Sequence, residues 1–377
     1  MKCFSPFDLT NKKQIIEFEE KDPYNPQNVV KGYVNRRQGI LYGTLYITHV
    51  NEKKCPQVIY ATPKMHYPFN RDKEKWEFPD ADWVLLFEKL DGTNILSYNY
   101  EDSDGKIYLT YKTRLRPFLG EGKFGNFKAL WDEMLEKYPE IKKHTYNTSH
   151  NLSFELYGKR NKILVDYDVS LEAKLLFSVN KYGDGIVPPE YFVGNIPKVK
   201  LLKKIKMEDV SPEVYEKHQQ EMEDELFVDE ENHIIRGKEG TVWYFVLQGE
   251  RILQMKCKPP TILKYHWRGD AISFESILTT CINAFENFDE PKMQDVIELL
   301  EEEFDEGMIE KSKIRIKKIL DKVTFDKKLQ YEVVEKYKKL GIDINVDKGD
   351  VMRFFAKEYP KDQAKRIFTL LNAYVNK

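Results

Sequence analysis

The chain has 377 residues, with 60 Lys and Arg against 62 Asp and Glu and a formal charge of −2. That balance excludes a histone-like polycation. Hydrophobic residues at 41% and aromatics at 13% are enough to build cores, while 32% charged residues and a mean hydropathy of −0.61 describe a hydrophilic surface, so disorder is not expected. The length predicts two or three domains at roughly 100 to 200 residues each. No apolar run approaches the ~20 residues of a membrane helix. The opening MKCFSPFDLTNKKQ has no apolar stretch of signal-peptide type, so a cytoplasmic protein with no membrane partner is expected. Cys3, Cys55, Cys257 and Cys281 form no CxxC pair and have no His at metal-ligand spacing, which predicts reduced thiols. There is no HExxH, so a zinc hydrolase has no support. Two glycosylation sequons, at Asn147 and Asn151, carry no weight in a cytosolic chain.

Up to about residue 260, short runs rich in Val, Ile, Tyr and Phe alternate with Gly, Asp and Asn turns and predict strands. Residues 1–80 form a β-rich segment that includes RRQGILYGTLY and PKMHYPFN. Residues 83–100 then read WVLLFE, KLDG and TNILSYNY, with Leu96, Tyr98 and Tyr100 alternating as in a half-buried strand and Lys89 at a strand end. Asp91-Gly92 is also a favoured hairpin turn, which leaves a plain β-turn with a Lys beside it as the structural alternative. Gly120-Glu-Gly122-Lys-Phe-Gly125 spells GxGxxG between a strand (Ile107 to Thr113) and a helix (Phe127 to Tyr138). It is a decoy: no βαβ alternation surrounds it and no acidic residue ends a following parallel strand.

In LSFELYG, Leu152, Phe154 and Leu156 share one strand face, which turns Ser153, Glu155 and Tyr157 to the other. Residues 205–232, ending EMEDELFVDEEN, read as an acidic surface insertion. In RGKEGTVWYF, Glu239-Gly240 precedes an aromatic, β-branched strand. In RILQMKCK, Leu253, Met255 and Cys257 form the apolar face, so Gln254, Lys256 and Lys258 lie together on the opposite one. The two lysine Cα atoms are then roughly 7 Å apart, a spacing suited to a polyphosphate or, more simply, a solvated strand face.

After residue 260 the pattern is helical, with amphipathic runs at 291–304, 325–340, 347–358 and 362–375 stopped by Gly307, Gly341 and Pro360. Residues 270–310 carry 1 basic and 13 acidic side chains, and 311–340 carry 11 basic and 4 acidic. Two solvated helix faces neutralising one another, or a contact with RNA phosphates, would both use this segregation. The fold class predicted is α+β, with antiparallel sheets and flanking helices over 81–260 and an all-α domain over 261–377.

The order KLDG, FELYG, LLFSV, KEGTVW, MKCK over residues 83–260 resembles the covalent nucleotidyltransferase superfamily of polynucleotide ligases and RNA-capping enzymes. Within it, the chain resembles the phage-type and archaeal single-strand ATP-dependent RNA ligases. The resemblance implies an ATP-grasp-like ligase catalytic domain that joins RNA 5′-phosphate and 3′-hydroxyl ends through lysyl-AMP and RNA-adenylate. It makes Lys89 the nucleophile and assigns Arg114 to the nucleotide phosphates, Glu155 to the ribose and Phe177 to stacking on adenine. Lys256 and Lys258 would bind the α-phosphate and triphosphate, and Glu239 would serve the metal step, with Glu155 and Glu239 as carboxylates for Mg²⁺ or Mn²⁺. Glu88 and Asp91 beside the nucleophile join the nucleotide-binding set, and Asn94, in KLDGTN, would contact the 5′-phosphate of the adenylated strand. Upstream, Arg36 or Arg37 and Lys64 are implied as triphosphate contacts, with Gln38 an extra residue in the string.

The chemistry asks for these residue types independently. A lysine nucleophile, with an ordinary pKa of about 10.4, must lose its proton, and neighbouring cations favour that loss. Phosphoryl transfer spreads charge over oxygens that cations stabilise. A DNA ligase, a GTP-dependent capping enzyme and a nucleic-acid-binding or protein-modifying relative without ligase activity are the competing expectations. The first two normally carry a barrel where this chain reads as helices. The helical domain is expected to select RNA ends or to mediate a homodimer.

Overall fold

A computed structural model describes residues 4–11, 14–37, 39–70, 73–122, 125–161, 163, 165–183, 185–228, 234–247, 252–267, 272–301, 304, 306–360 and 363–375. Gln38, the middle of the GxGxxG string (123–124) and the end of the acidic segment (229–232) lie outside the described residues. The chain forms two compact units, Met1–Glu121 with Phe127–Arg268, and Gly122–Asn126 with Gly269–Lys377.

The first unit opens with an antiparallel meander of β1 (Ile15–Lys21), β2 (Val29–Asn35), β3 (Leu45–Val50) and β4 (Lys53–Ile59). There follow β5 (Trp83–Lys89), β6 (Thr93–Glu101), β7 (Ile107–Lys112), the two-residue β8 (Glu121–Gly122) and β9 (Gly125–Asn126), of which β9 belongs to the second unit, and then α1 (Phe127–Lys137) and α2 (Glu140–Thr145). Next come β10 (His150–Tyr157), β11 (Glu172–Asn180), β12 (Ile186–Val187), β13 (Leu201–Lys206) and α3 (Pro212–Asp224). The short β14 (Phe227–Val228) and β15 (Ile234–Arg236) pair with each other, and β16 (Gly240–Val246), β17 (Leu253–Cys257) and α4 (Pro260–Trp267) complete the series. The second sheet runs β12-β11-β10-β6-β7 and the third β13-β5-β16-β17.

The period-2 patterns of these strands explain the layering. Leu85 and Phe87 of β5 and Val242 and Tyr244 of β16 meet Tyr157, Phe177 and Val179 from the second sheet in one core between the two sheets. On the outer side of the second sheet, Leu152, Phe154 and Leu156 pack on Trp131, Met134 and Leu135 of α1, as their alternation predicts. On the outer side of the third, Val84, Leu86, Trp243, Phe245 and Cys257 meet Tyr215 and Met222 of α3. Burial of each such large side chain stabilises the fold by about 1.5–3 kcal/mol, so truncating Trp243 would cost about 3–5 kcal/mol.

Three sequence expectations are corrected. The KLDG segment is not a hairpin turn: β5 pairs with β13 and β16, while β6 pairs with β10 and β7, so the link carries the chain from one sheet to the other. A Cβ on Gly92 would lie 2.2 Å from the Leu156 carbonyl oxygen, and this close approach, not a turn type, requires the glycine. Residues 205–232 are not simply a surface insertion, because α3 within them buries Tyr215, Gln219 and Met222. Gly307 does not stop a helix.

The second unit contains α5 (Phe274–Asn287), α6 (Met293–Leu300), α7 (Glu306–Leu340), α8 (Lys348–Glu358) and α9 (Ala364–Val375). Gly307 sits in the first turn of the 35-residue α7, whose flanking Glu, Met, Ile and Lys residues favour helix strongly enough to carry one glycine. Gly341, at φ 68°, does end α7 in the left-handed conformation that suits glycine. Leu329 and Val333 of α7, Val351 and Phe355 of α8 and Ile367 and Leu371 of α9 form this unit's core with Ile344.

Candidate active site

Sheet register assembles the site. In the third sheet Gly240 stands opposite Lys89, and Thr241 stands opposite both Glu88 and Cys257, so Glu239, Lys89 and Lys258 come together at one end of three adjacent strands. A Cβ on Gly240 would lie 2.2 Å from the Cys257 carbonyl oxygen, so the glycine after Glu239 lets β16 begin against β17. Glu239 is 5% exposed in its side chain; one carboxylate oxygen accepts from Lys89 Nζ and the other lies 3.1 Å from Lys258 Nζ. Burial alone would raise the Glu239 carboxyl, but the two ammonium groups outweigh it and hold its pKa down at about 2.

Glu155, on β10 of the facing sheet, shows the opposite balance. Burial dominates and pushes its carboxyl up to about 8, with Lys89 and Arg114 opposing the rise and Glu239 and Asp91 adding to it. Two carboxyl groups that feel the same lysine thus hold opposite protonation states near neutral pH. Lys89, Glu88 and Glu155 line a cavity of about 40 Å³ whose remaining walls include Phe177, Leu176, Val199, Val242, Tyr244 and Gln254.

Lys256 and Lys258 are 6% and 5% exposed, on the face opposite Cys257, as the alternation of the strand predicts. Lys256 Nζ stands 4.4 Å from the centroid of the Tyr67 ring. The 64–66 segment runs beside β17, with Lys256 N–H donating to the His66 carbonyl at 3.0 Å. Burial first, then the charges of Lys64 and Lys256, lower the His66 pKa, so Lys64 belongs to the same cationic corner.

The other sequence candidates divide. Arg114 lies close enough to Glu155 to act on its charge and stacks its guanidinium 5.4 Å from the Tyr42 ring centroid. Glu88 accepts from Lys174 Nζ at 2.7 Å and from the Lys200 N–H at 2.9 Å. Asp91 is turned to architecture: it accepts from the Val165 N–H at 2.7 Å, while its own N–H donates to the Tyr167 hydroxyl. Asn94 accepts from Thr62 Oγ1 at 2.9 Å and donates to Ser153 Oγ and the Phe154 carbonyl, knitting β6 to β10. Arg37 is exposed and lines a different cavity, with Phe7, Asp8 and Ile40.

Sequence reasoning missed the supports. From α3, the Tyr215 hydroxyl donates to the Lys256 carbonyl and Gln219 Nε2 to the Lys258 carbonyl, each at 2.7 Å, so one helix pins the backbone of both late lysines. Lys112, fully buried, donates to the carbonyls of Gly43, Thr113 and Arg114 at 3.1, 2.8 and 2.8 Å and holds the loop that carries Arg114. Burial first, then Arg114, pushes its pKa well below the usual lysine range.

Among the described residues no three His, Cys, Asp or Glu side chains converge as a metal cluster. Glu239 supplies one carboxylate and Glu155 a second carboxyl group, protonated in the free site near neutral pH and ionised more readily once a cation approaches. That set fits Mg²⁺, which keeps several waters and is commonly held by one or two carboxylates plus substrate phosphates.

No protein-family model matches the chain, and no curated protein sequence matches it. Its structure is similar to an archaeal ATP-dependent RNA ligase, form 2, at 15% identity and TM-score 0.45 over 84% of this chain and 76% of that one. Form 1 gives 16% identity and TM-score 0.44 over 84% and 75%. The Naegleria gruberi RNA ligase with PPi gives 12% identity and TM-score 0.34 over 67% of this chain and 98% of that one.

Proposed function

We propose that the chain is an ATP-dependent RNA ligase that joins 5′-phosphate and 3′-hydroxyl RNA ends. The observation that carries this reading is the convergence of Lys89, Glu239 and Lys258 beside a cavity walled by Phe177, with Glu155 opposite. In the first step Lys89 Nζ, its proton released to solvent as the ion pair opens, attacks the α-phosphorus of ATP; a P–N bond forms, the nitrogen gives up a second proton to solvent, and pyrophosphate leaves with the electrons of the broken P–O bond. AMP then passes to the RNA 5′-phosphate, and a 3′-hydroxyl displaces it to leave a phosphodiester.

The residues divide this work by charge. Glu239 keeps Lys89 paired in the free protein, so the nucleophile is released when phosphates enter and the ion pair opens. Lys256 and Lys258, poor in water contact, present desolvated positive charge to the phosphate oxygens, where it is worth more than in solvent. Phe177 offers a ring face to the adenine and Arg114 a fork of donors to the nucleotide. Mg²⁺, or Mn²⁺ in its place, held by Glu155 and Glu239 with waters, would supply neutralisation of the phosphate charge. Lys64 and Glu88 complete the nucleotide contacts, and Asn94 serves the adenylated strand by way of the sheet edge it braces.

A DNA ligase or capping enzyme is the second reading. Among the described residues no strand follows Cys257, and α4 to α9 occupy the place where those enzymes normally carry a barrel, which favours RNA. The test is incubation with Mg²⁺ and α-labelled ATP or GTP, followed by denaturation. ATP label is expected to stay on the wild-type chain and to be absent from Lys89→Ala. Addition of 5′-phosphorylated single-stranded RNA should yield sealed product. Undiminished labelling of Lys89→Ala removes the nucleophile, and GTP labelling without ATP labelling removes the ligase reading.

A further inference from the structure

Gln254 is the polar side chain of the cavity that the chemistry above leaves without a task. It lies on β17 opposite Tyr244 of β16, two residues before Lys256 and on the same face of the strand. Both its Nε2 and its Oε1 are buried, and neither has a hydrogen-bond partner. The nearby Tyr244 hydroxyl feels the amide, yet sends its proton to the Leu176 carbonyl at 3.0 Å. Elsewhere around the amide the cavity offers Leu176, Phe177, Val199 and Val242, none of which carries a side-chain hydrogen-bonding group. Of its titratable members, Glu88 is engaged with Lys174 and Lys89 with Glu239, while Glu155 stands on β10 of the facing sheet.

A buried amide missing both a donor and an acceptor is costly in the free protein. What satisfies it must be flat enough to lie along Phe177 and must present a donor beside an acceptor. A purine edge does this, since adenine sets its 6-amino donor next to a ring-nitrogen acceptor and pairs with a carboxamide through two bonds.

We propose that Gln254 is the specificity residue that reads the 6-amino edge of the adenine ring, a role that rests on the ligase reading of Lys89. Phe177 contributes stacking that any base can use; Gln254 contributes the choice.

The test compares ATP with purine riboside triphosphate, which lacks the 6-amino group, as donors of label to Lys89, in the wild-type chain and in Gln254→Met. Methionine keeps the length and volume of the side chain and removes both polar atoms. The wild type is expected to use ATP on the order of 10- to 100-fold more efficiently than the analogue, and the variant to bring that ratio close to one. The melting temperature of Gln254→Met, read without nucleotide, should stay level or rise, because an unpaired buried amide has gone. A wild-type ratio near one, a ratio preserved in Gln254→Met, or a variant that melts early or fails to fold would each overturn the proposal. The last two would make the amide a structural group. Absence of any adduct with either triphosphate in the wild type would instead overturn the ligase reading itself.

Discussion

Glu155 and Glu239 show how little of a residue's chemistry lies in its type. Both are carboxylic acids near Lys89, and burial penalises the charge of both, yet only Glu239 touches two ammonium groups. Their effects on stability have opposite signs with pH. An unfolded glutamate titrates near 4.3. Glu239, held at about 2, contributes stability that is complete above pH ~4.5 and is lost as pH falls through its folded pKa. Glu155, raised to about 8, keeps a proton that the unfolded chain has already released, so between pH ~4.5 and 8 its contribution falls as pH rises. Between pH 5 and 8 the urea midpoint of Glu155→Gln, which cannot ionise, should therefore rise relative to that of the wild type. Equal slopes would place the Glu155 carboxyl in the ordinary range.

At the scale of elements, α3 braces the two late lysines through the side chains of Tyr215 and Gln219, which bond to their backbone carbonyls. Tyr215→Phe removes one hydrogen bond to the Lys256 carbonyl while keeping the ring in its aromatic cluster with Phe69, Trp76 and Trp243. The loss should cost about 1 kcal/mol of stability. If the freed strand end shifts Lys256 by a comparable energy, label transfer should slow about fivefold. Wild-type transfer by a destabilised variant would show that the strand holds the lysines unaided. This support was legible in part. Ser211-Pro212 is an N-cap and first-turn proline, Ser211 does accept from the Val214 N–H, and Tyr215, Gln219 and Met222 recur at helical spacing. The run of acidic residues masked that signal, because net charge describes one face of a helix and says nothing of the other. Strand alternation, by contrast, separated Glu155, Lys256 and Lys258 from the apolar faces of their strands, but a Glu155 aimed out of the core is overturned, because the second sheet buries both of its faces. Register across strands is long-range information, so neither the meeting of Glu239 with Lys89 and Lys258 nor the passage of KLDG between sheets could be read from local pattern.

At the scale of the whole molecule, the near-zero net charge conceals a strong polarity within the helical unit. On α7, Lys313 and Lys317 pair with Glu310 and Asp321 one turn away, and Lys328 reaches Glu290, so much of the neutralisation is local and exposed. Surface pairs of this kind contribute about 0–1 kcal/mol each and leave the lysines available to a stronger anion. Reversing charge at Lys313, Lys317 and Lys318 should weaken RNA affinity and flatten its dependence on salt, with label transfer from ATP to Lys89 unchanged. Unaltered RNA binding in that variant would assign the basic stretch to packing or to a second copy of the chain.

The position of β5 inside its sheet carries a separate consequence. It pairs with β13 on one side as far as Phe87 and with β16 on the other as far as Lys89. Amide protons bonded in such a strand exchange with solvent only when the sheet opens as a unit. The strand that carries Lys89, the proposed nucleophile, is therefore among the slow-exchanging parts of this unit as far as Phe87, and its alignment persists through local fluctuations that leave the sheet closed.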